Sequence, residues 1–317
     1  PLHPGHQQLL ATLVMWLALM CLGLLLALDS KAFVTLVRIG WASVVVVSFI
    51  FMDFSGSWFR DINFEGVASY QQLARSMMVL GAAMVITLPD LRLRIPAALV
   101  SIAALFMIGA RSELYGFCAA YFVVEAIINK NSRFGFLMMF VSFVSASALV
   151  IQNIDTLMAS RQLEVLNLSE SSSWNLREYF RFNAIDQIMD NPIFGKYAGH
   201  FNMGEGGYAH NILSVWVSLG LFGFLLYAGL CFTSAWVSVR QLLKRPKSRL
   251  AQYATLMSLA VLILVWVAKP VFWELPPLAW SAALLAQFEG YMRSRSGLPA
   301  GRSKQGRARR GSARFGQ

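Results

Sequence analysis

Nine stretches of the chain, at 9–28, 33–52, 72–89, 94–110, 112–129, 134–152, 210–232, 253–272 and 275–291, are apolar over about the length of a bilayer-crossing helix. Such a helix needs about 20 mainly apolar residues, because in hydrocarbon every backbone N–H and C=O must be bonded within the segment. The composition points the same way: 57% of the 317 residues are hydrophobic and only 14% are charged. A water-soluble domain so composed would expose large apolar surface. The expected fold is therefore all-α, a polytopic membrane helix bundle of nine transmembrane helices. Six of these fall in 1–152, a long outer loop occupies 153–209, three more fall in 210–292, and a basic tail follows at 293–317.

Orientation follows from the basic residues, which are held back on the cytoplasmic side. If the nine runs alternate, Lys31, Arg92, Arg94, Lys130, Arg133, the cluster Arg240, Lys244, Arg245, Lys247 and Arg249, and the tail all come out on one face. That face is read as cytoplasmic. Adding or losing one run would put the 240–249 cluster and the tail on opposite sides, so the charge pattern also favours the span count. The tail "RSRSGLPAGRSKQGRARRGSARFG" carries much of the net charge of +11. It reads as disordered and suited to anionic lipid headgroups. Arginines after a last span are common topology anchors, and nucleic acid is not expected as a partner.

Cys21, Cys118 and Cys231 all lie within apolar runs and form neither a disulfide framework nor metal-ligand spacing. The chain opens at Pro1, with neither an initiator methionine nor a signal peptide before the first run, and is expected to lack its true N-terminus.

Two segments face outward at useful length. The shorter, 53–67, is acidic and aromatic; the longer, 153–209, far exceeds an ordinary helix connection and so reads as functional or disordered. Asn175 followed three residues later by Glu178 is a helix-start pattern, and Leu176, Tyr179, Phe180, Ile185, Ile188 and Met189 then recur at helical steps. Asn191-Pro192 ends this amphipathic helix. Arg177 and Arg181 stand four apart on one face, either as a solvated face with Glu178 on Arg181 or as a clamp for phosphate oxygens. Beyond the proline, "NPIFGKYAGHFNMGEGGYAHN" holds Gly195, Gly199, Gly204, Gly206 and Gly207, which permit either close backbone approach to a ligand or a loose hairpin.

Ionisable residues in apolar runs are candidate functional groups: Arg38, Arg75, Glu125 and Arg111. Arg111, in "MIGARSELYG", falls at the outer end of its run, on the side of the long loop. His210 and Asn211 open the next run, "AHNILSVWVSLGLFG", on that same side.

The arginine after an apolar run, the loop with "NPIFGKYAGHF", and "AHN" leading to "GLFG" together resemble the O-antigen ligase and O-antigen polymerase superfamily. The resemblance is most specific over residues 177–223, with a weaker echo at 109–116. Members are polytopic glycosyltransferases of the bacterial inner membrane. They move a glycan from an undecaprenyl-diphosphate carrier to an acceptor hydroxyl at the periplasmic face, in lipopolysaccharide or exopolysaccharide biosynthesis, without a nucleotide sugar or a cofactor. Their further spans upstream of the long loop agree with a truncated chain here.

On this resemblance His210 is the expected catalytic base, since an imidazole with an unperturbed pKa of about 6.5 can accept a proton near neutrality. Arg177, Arg111 and Arg181 are expected to bind the diphosphate, and Asn211 to orient the histidine or the acceptor. The acceptor would be the lipid A core for a ligase or the growing glycan for a polymerase. No DxD motif occurs, and no metal is expected. The competing readings are a polysaccharide transporter or flippase, with Arg38, Arg75 and Glu125 lining a path, and a non-catalytic assembly protein.

Overall fold

The computed structural model describes residues 4–26, 28–50, 70–129, 172–197 and 208–295. Among them the chain forms nine α-helices and no strand: α1 (Pro4–Leu24), α2 (Lys31–Ile50), α3 (Tyr70–Thr87), α4 (Leu91–Ile108), α5 (Arg111–Ile128), α6 (Ser172–Asp190), α7 (Leu213–Lys244), α8 (Arg249–Val267) and α9 (Pro276–Arg295). Helix α6 is the loop helix, and the others coincide with expected apolar runs. The sixth run (134–152), the outer segment 53–67, the glycine-rich stretch 198–207 with His200, and residues 296–317 of the tail lie outside the described residues.

Four helices, α2, α4, α7 and α8, are long and apolar enough by themselves to cross a membrane, consistent with a multi-pass membrane protein. Helices α3, α5 and α9 are more polar because they carry ionisable residues, and these find partners across the bundle: Arg75 on Glu274, Glu113 on Lys269, Glu125 on Arg94 and Glu289 on Arg245. Pairing is what makes an ionisable group tolerable in a low-dielectric interior.

Helix boundaries follow local chemistry. Gly109 ends α4 with φ 81°, a left-handed conformation that suits a residue without Cβ, and α5 begins two residues on. Ser248 caps α8 by accepting a hydrogen bond from the Ala251 N–H at 3.2 Å. Pro276 stands first in α9, where a missing N–H costs no intrahelical bond.

Helix α8 is the central post, with Tyr253, Leu256, Met257, Val261 and Leu264 buried. Small residues set the close contacts: a Cβ on Gly116 of α5 would lie 2.9 Å from Leu264, and one on Gly81 of α3 would lie 3.0 Å from the Ser101 hydroxyl of α4. At the end where α4 and α8 begin and α5 finishes, buried Arg94 donates to Glu125 (3.1 Å), Gln252 (2.7 Å) and the Leu88 carbonyl (3.0 Å). Asn129 donates to the second oxygen of Glu125 at 2.8 Å. Glu125 is thus part of a closed hydrogen-bonded group. Arg38 is exposed on α2, and Arg75 lies at the opposite end.

The loop helix starts at Ser172, three residues before the capping pattern placed it, so Asn175 is an interior residue rather than a cap. Glu178 is turned instead to Arg181, at 2.7 Å. The face of α6 that packs is also different: Ala184 and Ile188 are buried against Ala209 and Val217, whereas Leu176, Tyr179, Ile185 and Met189 are exposed.

Helix α7 is broken at Gly220, which has φ 68° and ψ −173°. In an unbroken helix the Leu221 N–H would bond the Val217 carbonyl. Here Leu221 N–H donates to the carbonyls of Pro192 and Ile193, both at 3.1 Å, while Val217 C=O accepts from the Lys196 N–H at 2.6 Å. The turn after α6 therefore occupies the break and re-pairs both of its orphaned groups. A Cβ on Gly220 would fall on the Ile193 carbonyl, and one on Gly195 (φ 69°) would sit 2.5 Å from Gly220 N and 2.7 Å from the Val217 oxygen.

Gly220→Ala is accordingly expected to destabilise the protein by about 1–3 kcal/mol, from left-handed strain alone before the steric clash is added. Gly229→Ala, where nothing lies within 4 Å of the new methyl, should be neutral or slightly stabilising. Thermal unfolding of both variants in the same detergent checks the contrast, and equal melting temperatures would contradict the docked turn.

Candidate functional site

His210 stands at the mouth of α7, just after the buried Ala209 and before Asn211. Asn211 makes an Asx turn, its side-chain oxygen accepting from the Leu213 N–H at 3.0 Å. Ser214 then fastens this turn to the link between α8 and α9. Its hydroxyl donates to the Asn211 carbonyl (2.8 Å) and accepts from the Val271 N–H (2.8 Å). The role the structure gives Asn211 is to open the helix and fix the backbone that carries His210.

The imidazole is half-buried among aromatic rings. Tyr208 lies 4.5 Å away, centroid to centroid, and Phe180 of α6 lies 6.5 Å away. Tyr208 in turn meets Phe272 edge-on at 4.7 Å. The loop helix thus contributes one wall of the histidine's surroundings and the α8–α9 link contributes another.

Burial raises the Tyr208 phenol above the usual tyrosine range, while the charges of Arg75 and Arg177 act on it in the opposite direction and neighbouring Tyr70 adds to the rise. Arg75 stands in the first turns of α3 and Arg177 is exposed near the start of α6. Arg75 is held by Glu274 of the α8–α9 link in a short ion pair and reaches Gln71 at 3.5 Å. Its Nε is buried and has no hydrogen-bond partner among the described residues.

Beside this pair Lys269 lies 2.5 Å from Glu113 of α5, whose other oxygen accepts from the Ser112 hydroxyl at 2.7 Å. Burial pulls the Lys269 ammonium below the usual lysine range and the Glu113 carboxylate pulls it back up. The ammonium also stands 5.7 Å from the Trp273 ring.

Of the residues the sequence singles out, His210 lies against Tyr208, and Arg177 sits on α6, the helix whose Phe180 faces the imidazole. Asn211 is adjacent but occupied with the turn. Arg111 opens α5 at this same end, two residues before Glu113, and is half-buried. Arg181 is exposed, paired with Glu178 at 2.7 Å and lying over the Phe182 ring at 5.2 Å. That is the solvated pairing its spacing allowed, and ion pairs so exposed are worth little.

Four contributors were not singled out in the sequence: Tyr208, Glu113, Lys269 and Glu274. A signal existed for two of them, because "VAKPVFWELPP" sets a lysine and a glutamate in a short link between two apolar runs. Counting Lys269 into an apolar run hid it.

The sequence matches no family model and none of the curated proteins.

Lys269 and Glu113 are both buried, and removing one partner of such a pair leaves an uncompensated charge, at a cost of about 3–5 kcal/mol before any loss of the lysine proton offsets it. Glu113→Gln should lower the melting temperature clearly, and Glu113→Gln combined with Lys269→Met should recover most of the loss. A double variant no more stable than the single one would show that the two side chains are not coupled.

Proposed function

We propose that the chain is a metal-independent glycosyltransferase of the O-antigen ligase or polymerase type, acting at the periplasmic face of the bacterial inner membrane. The observation that carries this reading is the half-buried His210 at the mouth of an apolar helix, packed on Tyr208 and facing Phe180 of α6, the helix that also carries Arg177, while Phe272 of the link whose Glu274 holds Arg75 lies against Tyr208. A lipid-linked diphosphate has the matching anatomy: its anionic group rests at headgroup depth while its polyprenyl chain stays in hydrocarbon.

In this reading His210 accepts the proton of the acceptor hydroxyl, and the freed oxygen attacks the anomeric carbon of the donor glycan. The bond from that carbon to the diphosphate oxygen breaks, and the electron pair leaves with the polyprenyl diphosphate. Charge therefore builds on the diphosphate as it departs, where guanidinium groups stabilise it. Arg177 is assigned to this role with Arg75, whose buried Nε is a donor still to be satisfied. Glu274 holds Arg75 in position, and Arg111 lines the same end of the bundle. The acceptor is a lipid A core or a growing glycan, and the tail meets anionic lipid.

The nine-span topology belongs to the same proposal. Arg111 and the first turn of α7 stand at one end of the bundle, tied through Glu113–Lys269 and Ser214–Val271, whereas Asn129 closes α5 at the other. An odd number of crossings must then separate Asn129 from α7, and the apolar run 134–152 would supply one.

The test is transfer of glycan from a polyprenyl-diphosphate donor to acceptor by the purified protein in phosphatidylethanolamine and phosphatidylglycerol vesicles. His210→Ala is expected to lower turnover by about 10²–10⁴-fold, the usual contribution of a general base. Arg177→Ala should lose at least about 10-fold, and more if its hydrogen bonds form only in the transition state. Full activity in both variants, with the fold intact, would refute the assignment.

A further inference from the structure

The segment 172–197 carries an exposed apolar flank that the site does not use. Past Glu178, whose carboxylate Arg181 holds, Phe182, Ile185 and Met189 recur at three- and four-residue steps on one side of α6. After the helix the flank continues into Ile193 and Phe194. Met189 is 76% exposed and Phe194 86%, values that in water would be a standing cost for a methionine and a phenylalanine. Asp186 and Asp190 fall on the next flank, and Ala184 and Ile188 on the one packed against α7. The helix thus has three distinct sides: one on the bundle, one acidic and one apolar.

Where the apolar side sits is fixed by the break in α7. Ile193 and Phe194 are docked at Gly220, seven residues into a helix that is apolar enough to cross a membrane. At 1.5 Å per residue that is about 10 Å along α7 from its first residue. On α7 itself Phe222 and Leu226, just past the break, are 70% and 67% exposed. Exposed apolar side chains of the turn and of α7 thus flank the same break at Gly220.

In hydrocarbon, irregular backbone is tolerated only when its polar groups are satisfied internally. Five backbone groups of this turn find such partners. Pro192 C=O accepts from Trp216 Nε1–H at 2.8 Å and from Leu221 N–H, Ile193 C=O also accepts from Leu221 N–H, Gly195 N–H donates to the Asn191 carbonyl at 3.0 Å, and Lys196 N–H is taken by Val217. The glycines at 195 and 220 are what permit this pairing.

We infer that the second half of α6 and the turn 191–195 form a membrane-embedded elbow, its Met189 and Phe194 side chains immersed among the lipid acyl chains beside α7. The loop helix is then set at a fixed depth in the bilayer rather than riding free above it.

The probe is a nitroxide attached at Phe194→Cys or Met189→Cys in the full chain, with Cys21, Cys118 and Cys231 replaced by alanine. The protein is reconstituted in phosphatidylethanolamine and phosphatidylglycerol vesicles. Asn175→Cys, on the exposed first half of α6, is the aqueous reference. Both elbow labels are expected to collide more with oxygen than with a water-soluble nickel chelate, and the reference label to show the reverse. Should the Phe194 variant fail to fold, Met189, 76% exposed, carries the reading. Nickel collisions dominating at the elbow positions as they do at the reference would overturn the proposal.

Discussion

The opened hydrogen bond between Leu221 and Val217 is the constraint on which the rest of the His210 end depends. An unpaired backbone group in hydrocarbon costs several kcal/mol, so a helix crossing a membrane does not break without a substitute. The turn 191–196 is that substitute, and it reaches the break only because Gly195 and Gly220 have no side chains between them. Once it is docked, α6 is pinned along the first turns of α7. Phe180 then faces His210, and Arg177 is carried on the same helix. A backbone contact between two glycines thus positions side chains that never touch it.

Charges divide between the two ends of the bundle, and pairing explains why they are tolerated. At one end Arg94, Glu125, Gln252 and Asn129 form a group whose bonds link the α3–α4 turn, α5 and α8. At the other, the link between α8 and α9 places Lys269 on Glu113 and Glu274 on Arg75, so a short link ties α5 and α3 to the base of α7. The first group is closed. The second leaves Arg75 Nε without a hydrogen-bond partner among the described residues, and the half-buried His210 and Tyr208 stand at this same end.

Much of this arrangement was legible from periodicity and charge. Apolar runs gave the helices of the bundle, four of them long and apolar enough to cross a membrane, and the position of His210 at the start of one of them fixed which end it occupies. The loop helix and its end at Asn191-Pro192 were readable from spacing and from proline's missing N–H. Its packing face was not, because Leu176, Tyr179, Ile185 and Met189 have the spacing of a buried stripe and yet point away from the bundle. A hydrophobic pattern does not say whether protein or lipid covers it. Nor could spacing pair Arg75 with Glu274, which are 199 residues apart; alternation of spans places both at one end and leaves the partner open. The glycines at 195 and 220 were visible as a dense group and as a spaced pair, but their meeting is a tertiary fact.

The central claim is that the turn after α6 is docked in the break of α7, holding α6 on the helix that bears His210. It is tested most directly by a cysteine pair at Ile188 and Val217, buried together in one small apolar cluster, in a chain whose native cysteines are replaced. Oxidation or a short bifunctional thiol reagent applied to intact membranes should join the two in high yield, and the yield should fall sharply when Gly220 is replaced by valine. Absence of the cross-link in the parent background, with both thiols reactive after denaturation, would contradict the docking and the site built on it.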